Sequence, residues 1–133
     1  LYTNGPSHAV VTVAARATLS ALTPDMGALV ALGEFGVAVV ARTGPAQVCS
    51  RNFCPALGVP EDPATGSAAA PVAVHLLRHG LEAAGTAIEI SQGVEMGRPS
   101  RLLATAWGSA TEVEAVTVAG GAVRVATGRY RLS

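Results

Sequence analysis

VPEDPATGSAAAPVAVHLLRHG, residues Val59 to Gly80, is the stretch whose reading decides the fold. From Gly66 to His79 it runs GSAAAPVAVHLLRH, and Ser67, Ala68, Ala69, Ala70, Val72, Ala73, Val74, Leu76 and Leu77 cover most of a helical circumference. A helix that is apolar nearly all round must be buried on most sides. Pro71 lies within the run and has no N–H, which predicts a local kink or a late helix start.

Working outward, the flanking sequence is rich in β-branched alternation. HAVVTVAA (8–15), GVAVVART (36–43), QVCSRNF (47–53), TAIEISQG (86–93) and RLLATAWGS (101–109) read as strands. Gly44-Pro45 reads as the turn between the second and third of these. TPDMGALVALG (23–33) reads as a short helix capped by Thr23, with Pro24 in its first turn and Gly33 as its stop. EVEAVTVAGGAVRVATGRYRL (112–132) reads as a hairpin turning at Gly120-Gly121. About seven strands must bury one long helix, and the simplest solution is a sheet rolled around it. The expected fold is a single α+β domain over residues 1–133.

Composition narrows the function. Half of the 133 residues are hydrophobic and 14 % are charged, against roughly 25 % in an average domain. So few charges leave part of the outer surface suited to cover by a partner. Nine arginines balance nine acidic residues, which leaves no basic stripe for nucleic acid. With no lysine, Schiff-base chemistry and a P-loop are excluded. No apolar run approaches the ~20 residues of a membrane span, and LYTNGPSH at the start lacks the features of a secretion signal. A cytoplasmic location is expected, with Cys49 and Cys54 as buried free thiols.

The quoted stretch also carries the candidate chemistry. The start of a helix offers free N–H groups and partial positive charge, suited to a carboxylate or oxyanion. Gly66 permits close approach to that backbone, Thr65 and Ser67 add hydroxyls, and Asp62 just before the helix is placed to accept a proton or orient a ligand. A plainer reading competes: Asp62 or Thr65 simply caps the helix. Glu61 is a poor second acid, because neighbours in an extended segment face opposite ways. The stretch by itself does not choose between these readings.

Arg51-x-Phe53, Glu61-Asp62-Pro63-Ala64-Thr65-Gly66-Ser67-Ala68, Gln92-Gly93 and Met96-Gly97-Arg98-Pro99-Ser100, preceded by NGPSHAVV, closely resemble the C-terminal half of the PhzF-like (phenazine biosynthesis-like) isomerases and epimerases. The resemblance extends over nearly the whole chain. It implies one lobe of a diaminopimelate-epimerase-like fold, in which two similar lobes each roll a sheet around a helix and face each other across a cleft. It implies proton transfer between carbons without metal or organic cofactor, on a small carboxylate-bearing metabolite such as a dihydro-aromatic acid. By motif position, Asp62 and Ser67 become the catalytic contributions of this lobe, and Thr65, Gly66 and Ser67 its substrate-binding ones. Related racemases carry an Ala-Cys-Gly pattern at this helix start; here it is Ala64-Thr65-Gly66, and a threonine cannot replace a thiolate.

The resemblance places the principal acid/base, a glutamate, in the other lobe, and no glutamate of this sequence occupies a matching motif. Three expectations follow: a facing lobe from a second copy (a homodimer) or from a separate N-terminal-lobe chain, a fragment of a longer two-lobe enzyme, or a non-catalytic small-molecule-binding or interaction module. A two-fold dimer would set two copies of Asp62 and Ser67 across one cleft. His75 and His79 have the i,i+4 spacing of metal ligands but no third ligand, and no metal site is expected. Arg98 reads as part of a turn rather than an anion ligand. His8 stands where the related proteins often carry a histidine, and packing at a strand start explains it equally well.

Overall fold

The computed structural model describes residues 1–132. Eight strands form one mixed sheet: β1 (Tyr2–Thr3), β2 (Ser7–Val13), β3 (Gly36–Gly44), β4 (Gln47–Cys54), β5 (Val59–Asp62), β6 (Ala87–Gln92), β7 (Ser100–Gly108) and β8 (Val113–Gly120). Their order is β1-β2-β3-β4-β6-β7-β8, with β5 on a side branch against β4. Three α-helices accompany them among the described residues, α1 (Arg16–Ser20), α2 (Met26–Ala31) and α3 (Gly66–Arg78), with a short 3-10 turn at Pro55–Leu57.

The sheet is rolled because α3 touches β2 and β3 on one side and β7 and β8 on the other. Strands so far apart in the order can reach one helix only if the sheet curls around it. The concave core gathers Val72, Ala73 and Leu76 of α3 with Ala38, Val40, Val48, Ile88, Ile90 and Ala104 of the strands. The expected α+β class and the buried central helix are therefore observed. The helix starts at Gly66 and runs through Pro71 without delay. Proline at the sixth position removes a single ladder bond, and its ring is buried with its neighbours.

The convex side holds a second core that the sequence reading did not anticipate. Leu19 of α1 packs with Val39, Ala41, Cys49 and Phe53, and Met26 and Leu29 of α2 lie against them. Covered on both faces, β3 shows the near-continuous apolar run of a doubly buried strand. α1 itself was missed because five residues carry too little periodicity to register. α2 starts at Met26 rather than Pro24: the Asp25 carboxylate accepts a bond from the Ala28 N–H at 2.9 Å, so Asp25 caps it instead of Thr23.

The C-terminal hairpin expected around Gly120-Gly121 is not formed. Neither glycine takes a positive φ, so no tight turn of that type is made. β8 instead pairs with β7, from Leu102↔Gly120 to Gly108↔Val113. Residues 121–132 have no regular structure, and Val125 and Tyr130 there are 93 % and 97 % exposed. Between the free sides of β1 and β8, α3 shows Ala70, Pro71, Val74 and Arg78 to a groove of about 370 Å³. Cys49 and Cys54 are buried free thiols, as expected. Among the described residues no helix is long and apolar enough to cross a membrane.

Candidate active site

The site sits where β4 forks. Its first half, Gln47–Ser50, pairs in parallel with β6, while Asn52 and Cys54 pair with β5. At that point β4 exchanges one neighbour for another, which brings side chains of β4, β5 and β6 together at the start of α3. Asn52 on one tine, Asp62 at the end of β5, Gln92 at the end of β6 and Thr65 before α3 all meet there.

Thr65 is the hub. It is 6 % exposed, and its hydroxyl donates to Asp62 Oδ2 at 2.7 Å while accepting from Asn52 Nδ2 at 2.8 Å and Gln92 Nε2 at 2.9 Å. A hydroxyl has one proton and two lone pairs, and all three are used. Thr65 is thus brought to the site, but its hydroxyl has no valence left for a ligand; it orients Asp62. Gln92 also donates to the Asp62 carbonyl at 2.6 Å, and its Oε1 accepts from the Thr65 N–H at 3.4 Å. The second carboxylate oxygen, Asp62 Oδ1, accepts from the Ala64 N–H at 3.3 Å. Asp62 thus braces the turn before α3, but neither it nor Thr65 makes a side-chain cap bond to the helix, so the plainer capping reading does not hold; its half-buried carboxylate stands beside the helix start.

The first amides of α3 have no acceptor within the helix. Gly66 is exposed, and a Cβ built there would meet nothing within 4 Å, so internal packing does not require the glycine. Ser67, half-buried one residue on, pairs its hydroxyl with His8 Nε2 at 3.1 Å. His8 enters from β2, opposite Gly36 in the parallel register, and is 1 % exposed. Burial pushes its imidazole below the usual 6.5, toward the neutral form. Cys54 lies below the same spot, and burial, followed by the Asp62 charge, pushes its thiol up, away from a reactive thiolate.

Glu61 points away from this cluster, as alternation requires. It grips Arg51 through two bonds of 2.9 Å, and Arg51 Nη1 also donates to the carbonyls of Leu22 at 2.8 Å and Leu19 at 3.3 Å. The hydrogen bonds it donates to Glu61 raise the Arg51 pKa above its ordinary value, and the guanidinium lies 4.9 Å from the Phe53 ring centroid. The Arg51-x-Phe53 and Glu61 signature thus ties the site loop to α1. On the other side, Ser100 Oγ donates to the Pro63 carbonyl at 2.7 Å, and a Cβ at Gly93 (φ 76°) would come within 2.8 Å of that same oxygen. The MGRPS segment is therefore a clasp. Arg98 is exposed on its turn, where its N–H donates to the Gly93 carbonyl.

His75 takes no part. Its Nδ1 bonds the Tyr2 hydroxyl and its Nε2 the Thr12 hydroxyl, each at 3.1 Å, and its ring centroid lies 4.3 Å from that of His79. Sequence reasoning singled out Asp62, Thr65, Gly66 and Ser67, which the structure brings together around the start of α3, but it did not single out Asn52 and Gln92 as the braces of Thr65. Gln92-Gly93 had stood out only as part of the resemblance, and nothing in the local pattern marks Asn52.

Residues 1–128 match the PhzC-PhzF family, described as phenazine biosynthesis-like protein. The chain belongs to that family. It is 49 % identical over 132 residues to the trans-2,3-dihydro-3-hydroxyanthranilate isomerase of Pseudomonas aeruginosa, covering 99 % of this chain and 47 % of that protein. The Pseudomonas chlororaphis isomerase of the same name is 47 % identical over 128 residues, 96 % of this chain and 46 % of that one. The chain thus spans about half the length of these relatives. Among solved structures, a Bacillus anthracis PhzF-family protein superposes with a TM-score of 0.67 at 12 % identity, covering 86 % of this chain and 46 % of that one. An Enterococcus faecalis PhzF-family protein gives 0.59 at 25 % identity, covering 83 % and 43 %. These likenesses bear on the fold.

Proposed function

We propose that this chain forms one wall of the active site of a cofactor-independent isomerase, which shifts a proton on a small carboxylate-bearing, dihydro-aromatic acid. The observation that carries the reading is the placement of the Asp62 carboxylate, held by the Thr65 hydroxyl at 2.7 Å, beside the start of α3. A carboxylate that is braced but half exposed can take and return a proton on a bound carbon acid. The Ser67 hydroxyl and the N–H groups of Gly66 and Ser67 hold the substrate carboxylate or carbonyl, and the open space at Gly66 lets it approach. The names of the relatives point to the same class of substrate.

The facing wall comes from a second lobe, in an arrangement like that of diaminopimelate epimerase, supplied by a second copy or by an N-terminal-lobe chain. Two features favour such a neighbour: the groove that bares α3 between β1 and β8, and the exposed apolar side chains of residues 121–132. Two buried free thiols suit a reducing, cytoplasmic compartment.

The test is exchange of the carbon-bound hydrogen of trans-2,3-dihydro-3-hydroxyanthranilate in deuterated water by the native assembly. Asp62→Asn is expected to abolish exchange and to change binding less than threefold. Equal exchange in the variant would remove Asp62 from the mechanism. Binding without exchange in the unmodified assembly would make the chain a binding module.

A further inference from the structure

We infer that His8 is a positioning residue for Ser67: its Nε2–H donates to Ser67 Oγ and leaves the serine proton free to donate to a ligand oxygen. This rests on the reading of Ser67 as a ligand-holding hydroxyl. The two atoms are 3.1 Å apart, and either could be the donor on distance alone. The other ring nitrogen decides. His8 Nδ1 is fully buried and has no hydrogen-bond partner among the described residues. With the proton on Nδ1, the ring would bury an unsatisfied N–H; with it on Nε2, the only donor is used and a bare lone pair remains. Orphaned buried donors are the rarer and costlier of the two.

The ring has little freedom to choose otherwise. A Cβ at Gly36 would stand 2.6 Å from His8 Nδ1 and 2.8 Å from Cys54 Sγ, so the imidazole fills the space that this glycine leaves. Parallel pairing of His8 with Gly36 fixes its height along β2. Burial keeps the ring neutral, so it adds no charge behind Ser67. Ser67, half-buried beside the exposed Gly66, is left as an acceptor toward the protein and a donor toward a ligand at the helix start. It then acts with the neighbouring amides as a third donor to one oxyanion.

Histidine-selective ¹⁵N NMR tests the tautomer directly, with the His8 signals assigned by their loss in His8→Gln. A protonated Nε2 and a bare Nδ1 are expected near neutral pH; the reverse pattern overturns the inference. Binding supplies the second readout, with 3-hydroxyanthranilate as the probe of the native assembly. Ser67→Ala and His8→Phe should each weaken binding about tenfold or more, and the double variant no further. His8→Gln, whose amide can still donate, should recover most of the loss. Additive losses, or wild-type binding by His8→Phe, would reduce His8 to packing. Should the wild-type assembly not bind the probe although Nε2 is protonated, the cradle reading fails, and the positioning role fails with it.

Discussion

Replacing Thr65 by valine removes one oxygen and almost no volume, so its effect isolates the hub of the site. Three hydrogen bonds are lost at once: to Asp62 at 2.7 Å, from Asn52 at 2.8 Å and from Gln92 at 2.9 Å. Asp62 is half-buried and can turn to water, so its loss is largely made good. Asn52 and Gln92 are 0 % and 2 % exposed and cannot. Each then carries a buried N–H without its acceptor, at about 1–3 kcal/mol apiece. Asn52 keeps a weak contact to Cys54 Sγ at 3.1 Å, which pulls the total toward the lower part of that range. The expected loss is about 2–4 kcal/mol, read as a fall in the urea midpoint at unchanged slope. Thr65→Ser keeps the hydroxyl and gives up one methyl, and should lose no more than about 1 kcal/mol. A Thr65→Val variant within about 0.5 kcal/mol of the parent, or no more destabilised than Thr65→Ser, would refute the hub.

Glu61→Gln should cost about 2–4 kcal/mol, because it leaves the 8 %-exposed Arg51 without its charge partner; a loss below about 1 kcal/mol in urea unfolding would deny the anchor. Gly93→Ala should destabilise by more than about 1 kcal/mol, since φ is positive and the new methyl meets the Pro63 carbonyl; thermal melting checks it. Gly66→Ala should do the opposite, adding about 0.5–1 kcal/mol of stability at an open helical position while weakening 3-hydroxyanthranilate binding; unchanged affinity would separate this backbone from the ligand. His8 and His75 are both held below 6.5 by burial, so the unfolded chain binds more protons than the native one as pH falls. Their contribution to stability is complete above about pH 6.5 and is lost as pH falls toward their folded values, with a slope of at most about 1.4 kcal/mol per pH unit for each. Urea midpoints from pH 7.5 to 5 should fall accordingly, and less steeply in His8→Gln; parallel profiles would contradict this.

The sequence made the rolled sheet legible because α3 is apolar on so many sides that only a surrounding sheet can bury it. The convex layer escaped notice because α1 and α2 bury few side chains each and are defined by what β3 and β4 present to them. The C-terminal hairpin was misread for a related reason. Gly120-Gly121 permits a turn, but permission is not a driving force, and β8 already has β7 as its partner. At the site, Asp62 and Ser67 were nominated by their motif position, since the helix start alone left the plainer capping reading open. Asn52 and Gln92 lie 13 and 27 residues from Thr65 in sequence, so their convergence is a property of the β4 fork and not of any local motif.

The fork also decides what kind of anion site this wall can be. Arg51 belongs to the signature, which makes it look like a carboxylate ligand. Its guanidinium is instead committed to Glu61 and to two backbone carbonyls, on the side away from Ser67. The Asp62 carboxylate is bonded by the Ala64 N–H and the Thr65 hydroxyl, and the amide N–H groups of α3 and the Ser67 hydroxyl stand at the helix start. Fixed dipoles hold an oxyanion without neutralising Asp62, whereas a free guanidinium at the same place would pair with that carboxylate and compete for its lone pairs. For the proposed proton transfer, which asks one wall to hold a carboxylate and keep a second one available for protons, amides and a serine serve better than arginine. Arg51 is thereby committed to anchoring the site loop, and under the proposed function its diversion to Glu61 would also keep a guanidinium away from Asp62.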